Sequence, residues 1–343
     1  METWLSRRSL GGGLCAAAAF PTLSRAQKAD AVQALYEGAR KEGKVVYFTS
    51  NDVEVSRESA KAFAKKFPGV EVEAYKIEPG PAMERIIGES GAGRLSCDVT
   101  DGPVAYTQLL FDRGLALSYP WADVFGIDPG DVLFEGRALY AYNLDCPIAY
   151  NTNLVQPGEI KSWEELTAPK WSGKVLLEAR GIVFPLLALA WGEDKAFDYL
   201  KRLVANKPLI IKGGTQTLES LAGGQGAVAV GGYGGRVEQF KDEGAPVEWA
   251  RVSPVPAMIY THMALKGAPH PNAALLWNAW SIGKEHLDAL YARQRNGRLS
   301  GSKISPLGQK MQGAGLEIVY ETGNAAEMQT LLVRAGAAIG GLK

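Results

Sequence analysis

Strand-forming and helix-forming stretches alternate in two separate runs along this chain, and that double alternation most constrains how it can fold. In the first run, Lys44-Val45-Val46-Tyr47-Phe48 is β-rich. A helix with Ala60, Phe63, Ala64 and Phe67 on one face follows and stops at Pro68-Gly69. Residues 70–75 alternate in period two, a helix is predicted over 81–90, and Cys97-Asp98-Val99-Thr100 is the next strand. The second run starts after Ser162-Trp163-Glu164-Glu165, which has capping-box spacing. Strands are predicted at 174–177, 208–211 and 227–230, with helices at 184–191, 194–205, 215–222 and 234–242. Each run predicts a mostly parallel sheet flanked by helices, so the fold class is α/β.

Extended segments separate the runs. Residues 139–142 and 147–151 lie between them, and 258–265 follows the second. Helical sequence continues from 271, with breaks near 297–306. Two units joined by two extended crossings predict a hinged clamshell. Its first lobe is discontinuous, 27–147 plus 260–343, and its second is 148–259.

The first 26 residues read as an export signal. Arg7-Arg8 supply a charged start, residues 11–20 are small or apolar, and Ser24-Arg25-Ala26 places small residues before a cleavage near Ala26. Ser6-Arg7-Arg8-Ser9-Leu10 resembles the twin-arginine motif. Cys15 falls in the removed peptide, since Leu14 stands where a lipidated cysteine needs a small neighbour. Cleavage removes Arg7, Arg8, Arg25 and Glu2, turning 37 basic and 37 acidic residues into 34 and 36. That balance lacks the basic surplus with which nucleic-acid binders neutralise phosphates. The remaining chain exceeds the ~250–300 residues at which one core usually divides.

Several stretches carry a likeness: Tyr47-Phe48-Thr49-Ser50, the helix end Ala62-Phe63-Ala64-Lys65-Lys66-Phe67-Pro68-Gly69-Val70, and Glu89-Ser90-Gly91-Ala92-Gly93 with Cys97-Asp98-Val99. Ile148-Ala149-Tyr150-Asn151-Thr152-Asn153-Leu154-Val155 looks like the first crossing. Trp163-Glu164-Glu165-Leu166, continuing through Pro169-Lys170-Trp171-Ser172-Gly173-Lys174-Val175, is the most specific stretch, and Gly267-Ala268-Pro269-His270-Pro271-Asn272 closes the set. In this order they resemble the bacterial extracellular solute-binding proteins of the ferric-iron, thiamine and phosphonate-type branch. The resemblance implies a two-lobed, type II-like periplasmic-binding-protein clamshell. It implies a monomer in the periplasm, binding a small ligand for the membrane permease of an ABC importer, with no nucleic-acid partner and no cofactor. In such clamshells the crossing strand lies beside the third strand of the first lobe, which would make Cys97 and Cys146 neighbours. A disulfide between them is one expectation, and two buried thiols the other.

Ligands of open α/β sheets sit beyond the carboxyl ends of the strands. That rule selects Thr49, Ser50, Asn51, Asp52 and Asp101 in the first lobe, and Arg180, Gly213, Gly214, Thr215 and Tyr233 in the second. Lys212-Gly213-Gly214-Thr215 opens a helix, whose free N–H groups favour an anion. A plain glycine turn is the alternative. Arg180 can grip a carboxylate or phosphate, or simply pair with Glu178. The expected ligand is therefore a small organic anion.

Ferric-binding relatives hold the metal with two adjacent tyrosines, whereas here Tyr233 is followed by Gly234. Iron held by Tyr233 with a synergistic anion, helped by Tyr142 or Tyr150, is the second reading. Among the histidines, His262 is the cleft candidate. His270 is placed at a helix entrance and His286 on a polar helix face. A secreted α/β enzyme is the rival class. The chain lacks GxSxG, P-loop and HExxH motifs, and Gly231-Gly232-Tyr233-Gly234-Gly235 lacks the acidic partner strand of a dinucleotide site.

Overall fold

A computed structural model describes residues 24–295, 305–321 and 324–340. The export segment expected over 1–26 thus lies outside the described residues up to position 23. Residue Ser24 caps the first helix, α1 (Arg25–Glu42), by accepting from the Gln27 N–H while the Gln27 side chain accepts from the Ser24 N–H. None of the described helices is long and apolar enough to cross a membrane.

The first run folds as expected in kind. Strands β1 (Lys44–Thr49), β2 (Glu71–Lys76) and β3 (Val99–Pro103) alternate with helices α2 (Val53–Lys66) and α3 (Pro79–Gly91). Helix α4 (Val104–Phe111) leaves β3 directly, and α5 (Trp121–Phe125) precedes β4 (Val132–Leu133) and β5 (Ala138–Asp145). β6 (Ala149–Asn151) begins the second unit. There β7 (Val175–Glu178), β8 (Leu209–Ile211), β9 (Val228–Val230) and β10 (Val247–Trp249) alternate with α6 (Phe184–Trp191), α7 (Glu193–Ala205), α8 (Gly214–Ala222) and α9 (Gly234–Asp242). The long β11 (Val255–Ala264) returns to the first sheet. It is followed by α10 (Pro271–Trp280), α11 (Lys284–Gln294), α12 (Pro306–Gly313), β12 (Ile318–Tyr320) and α13 (Ala325–Gly340). The Ser162–Glu165 spacing does place the Glu165 N–H on the Ser162 hydroxyl, but it opens a 3-10 turn, Glu164–Thr167, rather than an α-helix.

Among the described residues the strands form two sheets, and both are mixed rather than mostly parallel. The first runs β2-β1-β3-β11-β5-β4, with β12 beside β11. β1 is parallel to β2 and β3, whereas β11 is antiparallel to β3 and β5. The second runs β10-β6-β9-β7-β8, with β7 parallel to its neighbours and β6 antiparallel to its own. The strands by which the chain enters each unit from the other, β6 and β11, run against the parallel strands there, as do β4 and β12 in the first sheet, and local periodicity carries no information on direction.

One apolar cluster joins Tyr47, Phe63 and Trp277 through Leu144 and Ile148 to Phe184, Tyr199 and Leu200. A second holds Leu218, Val237 and Trp249 together with Leu307 and Met311 of α12. Helix α13 packs on α4 and also on α6 and α7, so the C-terminal part of the chain touches both units.

The expected disulfide is absent. Cys97 and Cys146 are buried free thiols. β11 stands between β3 and β5, pairing Ala264 with Val99 and Ala257 with Asp145. Seven positions along a strand put the two ends about 23 Å apart at ~3.3 Å per residue, far beyond the reach of a bridge. Each thiol instead donates to a nearby backbone oxygen, Cys97 to Val99 and Cys146 to Leu144.

Candidate functional site

The carboxyl ends of β1, β2 and β3 meet those of β7, β8 and β9 across a narrow cleft floored by β5 and β11. Its cavity, about 60 Å³, is lined by Ser50, Asn51, Asp52, Lys76 and Glu78 from the first unit and by Thr215, Tyr233 and Arg236 from the second. Tyr142, Leu144 and Tyr260 of the crossing strands complete the lining. A larger hollow of about 560 Å³ lies by Tyr119, Trp121 and Gly136. It is confined to the first unit, around α5, β4 and the turn into β5, away from these loops.

The β1 loop is shaped from below by Asp101. This buried carboxylate accepts hydrogen bonds from the hydroxyls of Tyr47 and Thr49, and from the Ser50 N–H at 3.2 Å and hydroxyl at 3.4 Å. Burial lifts its pKa to about 6 against the pull of these donors. Asp101 and Thr49 therefore brace the loop rather than line the cavity. Above them, the Tyr142 hydroxyl donates to Asn51 Oδ1 at 3.2 Å, while Asn51 Nδ2 is buried with no partner. Ser50 Oγ lies 3.2 Å from the Tyr260 hydroxyl. A bulge at Ala141 of β5, opposite the Tyr260–Thr261 step of β11, shifts the register of the two strands, and next to it the paired Tyr142 and Tyr260 rings stack, 4.9 Å between centroids.

Across the cleft, glycines let the second unit's loops close up. Gly231 has φ +92°, and a Cβ there would stand 2.6 Å from Glu178 Cβ. A Cβ on Gly214 would stand 2.9 Å from the Tyr233 ring, which therefore lies directly on the start of α8. Gly213 donates its N–H to Glu178 Oε1 at 3.3 Å. Arg180 is fully engaged: Nε meets Glu178 at 2.8 Å, Nη2 the Tyr233 hydroxyl at 3.2 Å, and Nη1 Glu78 of the first unit at 3.4 Å. Of the residues selected from the strand ends, Ser50, Asn51, Thr215 and Tyr233 line the cavity. Thr49, Asp101, Arg180, Gly213 and Gly214 form its supporting layer.

Asp52, selected with the β1 loop, and Tyr142, named as a helper to iron, line the cavity too, whereas sequence reasoning did not single out Lys76, Glu78, Arg236 and Tyr260. Arg236 carries a readable signal. It sits in the first turn of α9, where the helix dipole disfavours a cation, and such local conflicts mark functional positions. The two tyrosines depend on strand register and leave no local trace. Burial pushes Tyr233 up to about 12, Arg180 opposing, and pushes Tyr142 and Tyr260 well above the usual phenol range. Without a metal all three present O–H groups.

The histidines lie elsewhere. His262 is buried against Ser281 at 2.5 Å, behind Tyr47. His286 is buried too, with Nδ1 2.8 Å from the Ser59 hydroxyl, because α11 packs on α2 and turns that face inward. His270 opens α10 and binds the Asp98 carboxylate through its N–H and Nδ1, both at 2.8 Å. Tyr150 pairs with Glu248 on β10, away from the cavity lining. Among the described residues, no group of three or more His, Cys, Asp and Glu side chains could hold a metal ion.

A family model described as bacterial extracellular solute-binding protein matches residues 58–311 of the 343. Among solved structures, the chain is similar to iron-bound HitA from Pseudomonas aeruginosa, with a TM-score of 0.72 and 17% identity over 87% of this chain and 99% of that one. It is similar to AfuA from Actinobacillus pleuropneumoniae with fructose-6-phosphate bound, at TM-score 0.71 and 21% identity over 87% and 99%. It is also similar to Trichodesmium IdiA (FutA) in complex with iron and citrate, at 0.66 and 17% over 88% and 99%. At these identities the likeness establishes the two-lobed fold. An uncharacterized protein of Haemophilus influenzae is 32% identical over 134 residues, a stretch spanning 36% of this chain and 38% of that relative.

Proposed function

This chain belongs to the bacterial extracellular solute-binding proteins, and we propose that its cleft takes a small organic anion, closes around it, and presents the closed form to the permease of an ABC importer. The observation that carries the anion reading is the Asn51 amide, buried and without a partner in a cavity that Lys76 and Arg236 also line. The first turns of α8 and α9 border the same space through Thr215 and Arg236, and helix starts favour negative charge. Ligand contacts to both lobes favour the closed state over the open one. In this reading the ligand is bound and released unchanged. The moving bodies are proposed as 27–147 with 260–343 and as 148–259. Residues 1–26 are proposed as a twin-arginine-type signal that brings a monomer to the periplasm.

A thermal-shift screen over phosphorylated and carboxylated metabolites tests this. A ligand at 100 times its Kd stabilises the fold by about 2.7 kcal/mol. Screening without any stabilising anion would refute the ligand class. Ferric iron is the second reading, favoured by Tyr142, Tyr233 and Tyr260 lining one cavity and by the iron-bound structural neighbours. A visible tyrosinate–iron band on adding ferric citrate would put iron first.

A further inference from the structure

We propose that Asp52 is an internal competitor of the ligand, bridging the two lobes when the site is empty and retreating to cap α2 when the ligand's anionic group takes its place. The inference rests on the anion reading of the cleft and adds the residue that sets its threshold. Asp52 reaches Lys76 Nζ of its own unit at 3.0 Å with one oxygen. With the other it reaches Arg236 Nη2 of the opposite unit at 2.9 Å. These are the two cations that line the cavity, so one carboxylate occupies both groups an incoming anion needs.

Asp52 is also the N-cap residue of α2, with extended backbone, yet its side chain makes no capping bond. An aspartate there ordinarily accepts from N–H groups of the first turn. The carboxylate has left that role for the cross-cleft bridge. Glu78 repeats the arrangement: it is the N-cap residue of α3, makes no capping bond, and reaches across to Arg180 at 3.4 Å. The two first-lobe acids at the cleft thus tie the lobes together where they would otherwise finish their helices. Asp52 keeps a ready second seat, because its backbone already holds the capping conformation and only the side chain must rotate. The displacing group must outcompete a carboxylate for Lys76 and Arg236. The site should therefore prefer a doubly charged phosphate-type group to a single carboxylate.

The test uses Asp52→Asn and Asp52→Ser, serine keeping a helix cap without charge. Calorimetry with inorganic phosphate and with fructose 6-phosphate should give tighter binding in both variants, by about tenfold, the order expected when the Asp52 ion pairs with Lys76 and Arg236 no longer have to be broken for the anion to enter. The preference for phosphate over acetate, a single carboxylate, should shrink. Unchanged or weaker binding in both variants would overturn the proposal, since it would mean that Asp52 stays on Arg236 in the bound state. A second arm needs no ligand. Small-angle scattering of the ligand-free protein should show expansion between about 0.01 M and about 1 M salt, where the Debye length falls from about 30 to about 3 Å. Asp52→Ser combined with Glu78→Gln should be expanded at both. If neither probe binds any form, the anion reading fails and this arm alone decides. A double variant as compact as the wild type would refute the bridge.

Discussion

Asn51→Ala separates a loop brace from a ligand contact. The Asn51 amide is buried without a partner on the protein, which costs about 1–3 kcal/mol. Truncation removes that cost. It also strips the Tyr142 hydroxyl of its acceptor, Asn51 Oδ1 at 3.2 Å, and so leaves a buried phenol unpaired at a similar cost. The two changes oppose each other, so the stability of the ligand-free protein should move by no more than about 2 kcal/mol in either direction. Binding should behave differently. A hydrogen bond from the amide to a charged ligand contributes about 1.5–3 kcal/mol, and its loss weakens affinity about 10- to 150-fold. The assay pairs thermal unfolding without ligand with calorimetry on the anion giving the largest thermal shift. A variant that melts much earlier yet binds with wild-type affinity would refute the reasoning, because the amide would then serve the loop alone.

The remaining expectations concern the hinge, the second lobe and the thiols. Burial lifts Asp145 to about 6, with Ser305 pulling the other way, and its Oδ1 has no partner. The native state then holds this proton more tightly than the unfolded chain, so the carboxylate lowers stability as pH rises from about 4 to about 6. Asp145→Asn should accordingly be about 1–3 kcal/mol more stable than wild type at pH 7 and indistinguishable below about pH 4; an equal gain in urea melts at both pH values would exclude the titration. Gly214→Ala drives a methyl to 2.9 Å from the Tyr233 ring and should cost about 1–3 kcal/mol together with a loss of anion affinity; wild-type affinity would show that Tyr233 need not rest on α8. Alkylation of the unfolded, unreduced protein should label both Cys97 and Cys146; protection of the pair until reduction would contradict the β3-β11-β5 order.

How much of this was readable in advance depends on the range of the interaction. The strands and helices were legible because each buries one face, and a buried face writes its period into consecutive residues. The strand-end rule then located the loops, and Ser50, Asn51, Thr215 and Tyr233 do meet at one cavity. It could not separate lining from support, so Asp101 was selected for contact though its carboxylate faces its own loop. The direction of β11 was equally invisible, and with it the separation of Cys97 from Cys146 and the burial of His262. By itself, the sequence determined two α/β units, their crossings and the loops that carry the chemistry. Tertiary structure alone decided strand direction, the Tyr142–Tyr260 register, and the meeting of Asp52 with Arg236 from 184 positions away. The physical reason is that period and turn chemistry act between near neighbours, whereas pairing across a sheet or a cleft follows from how whole elements dock.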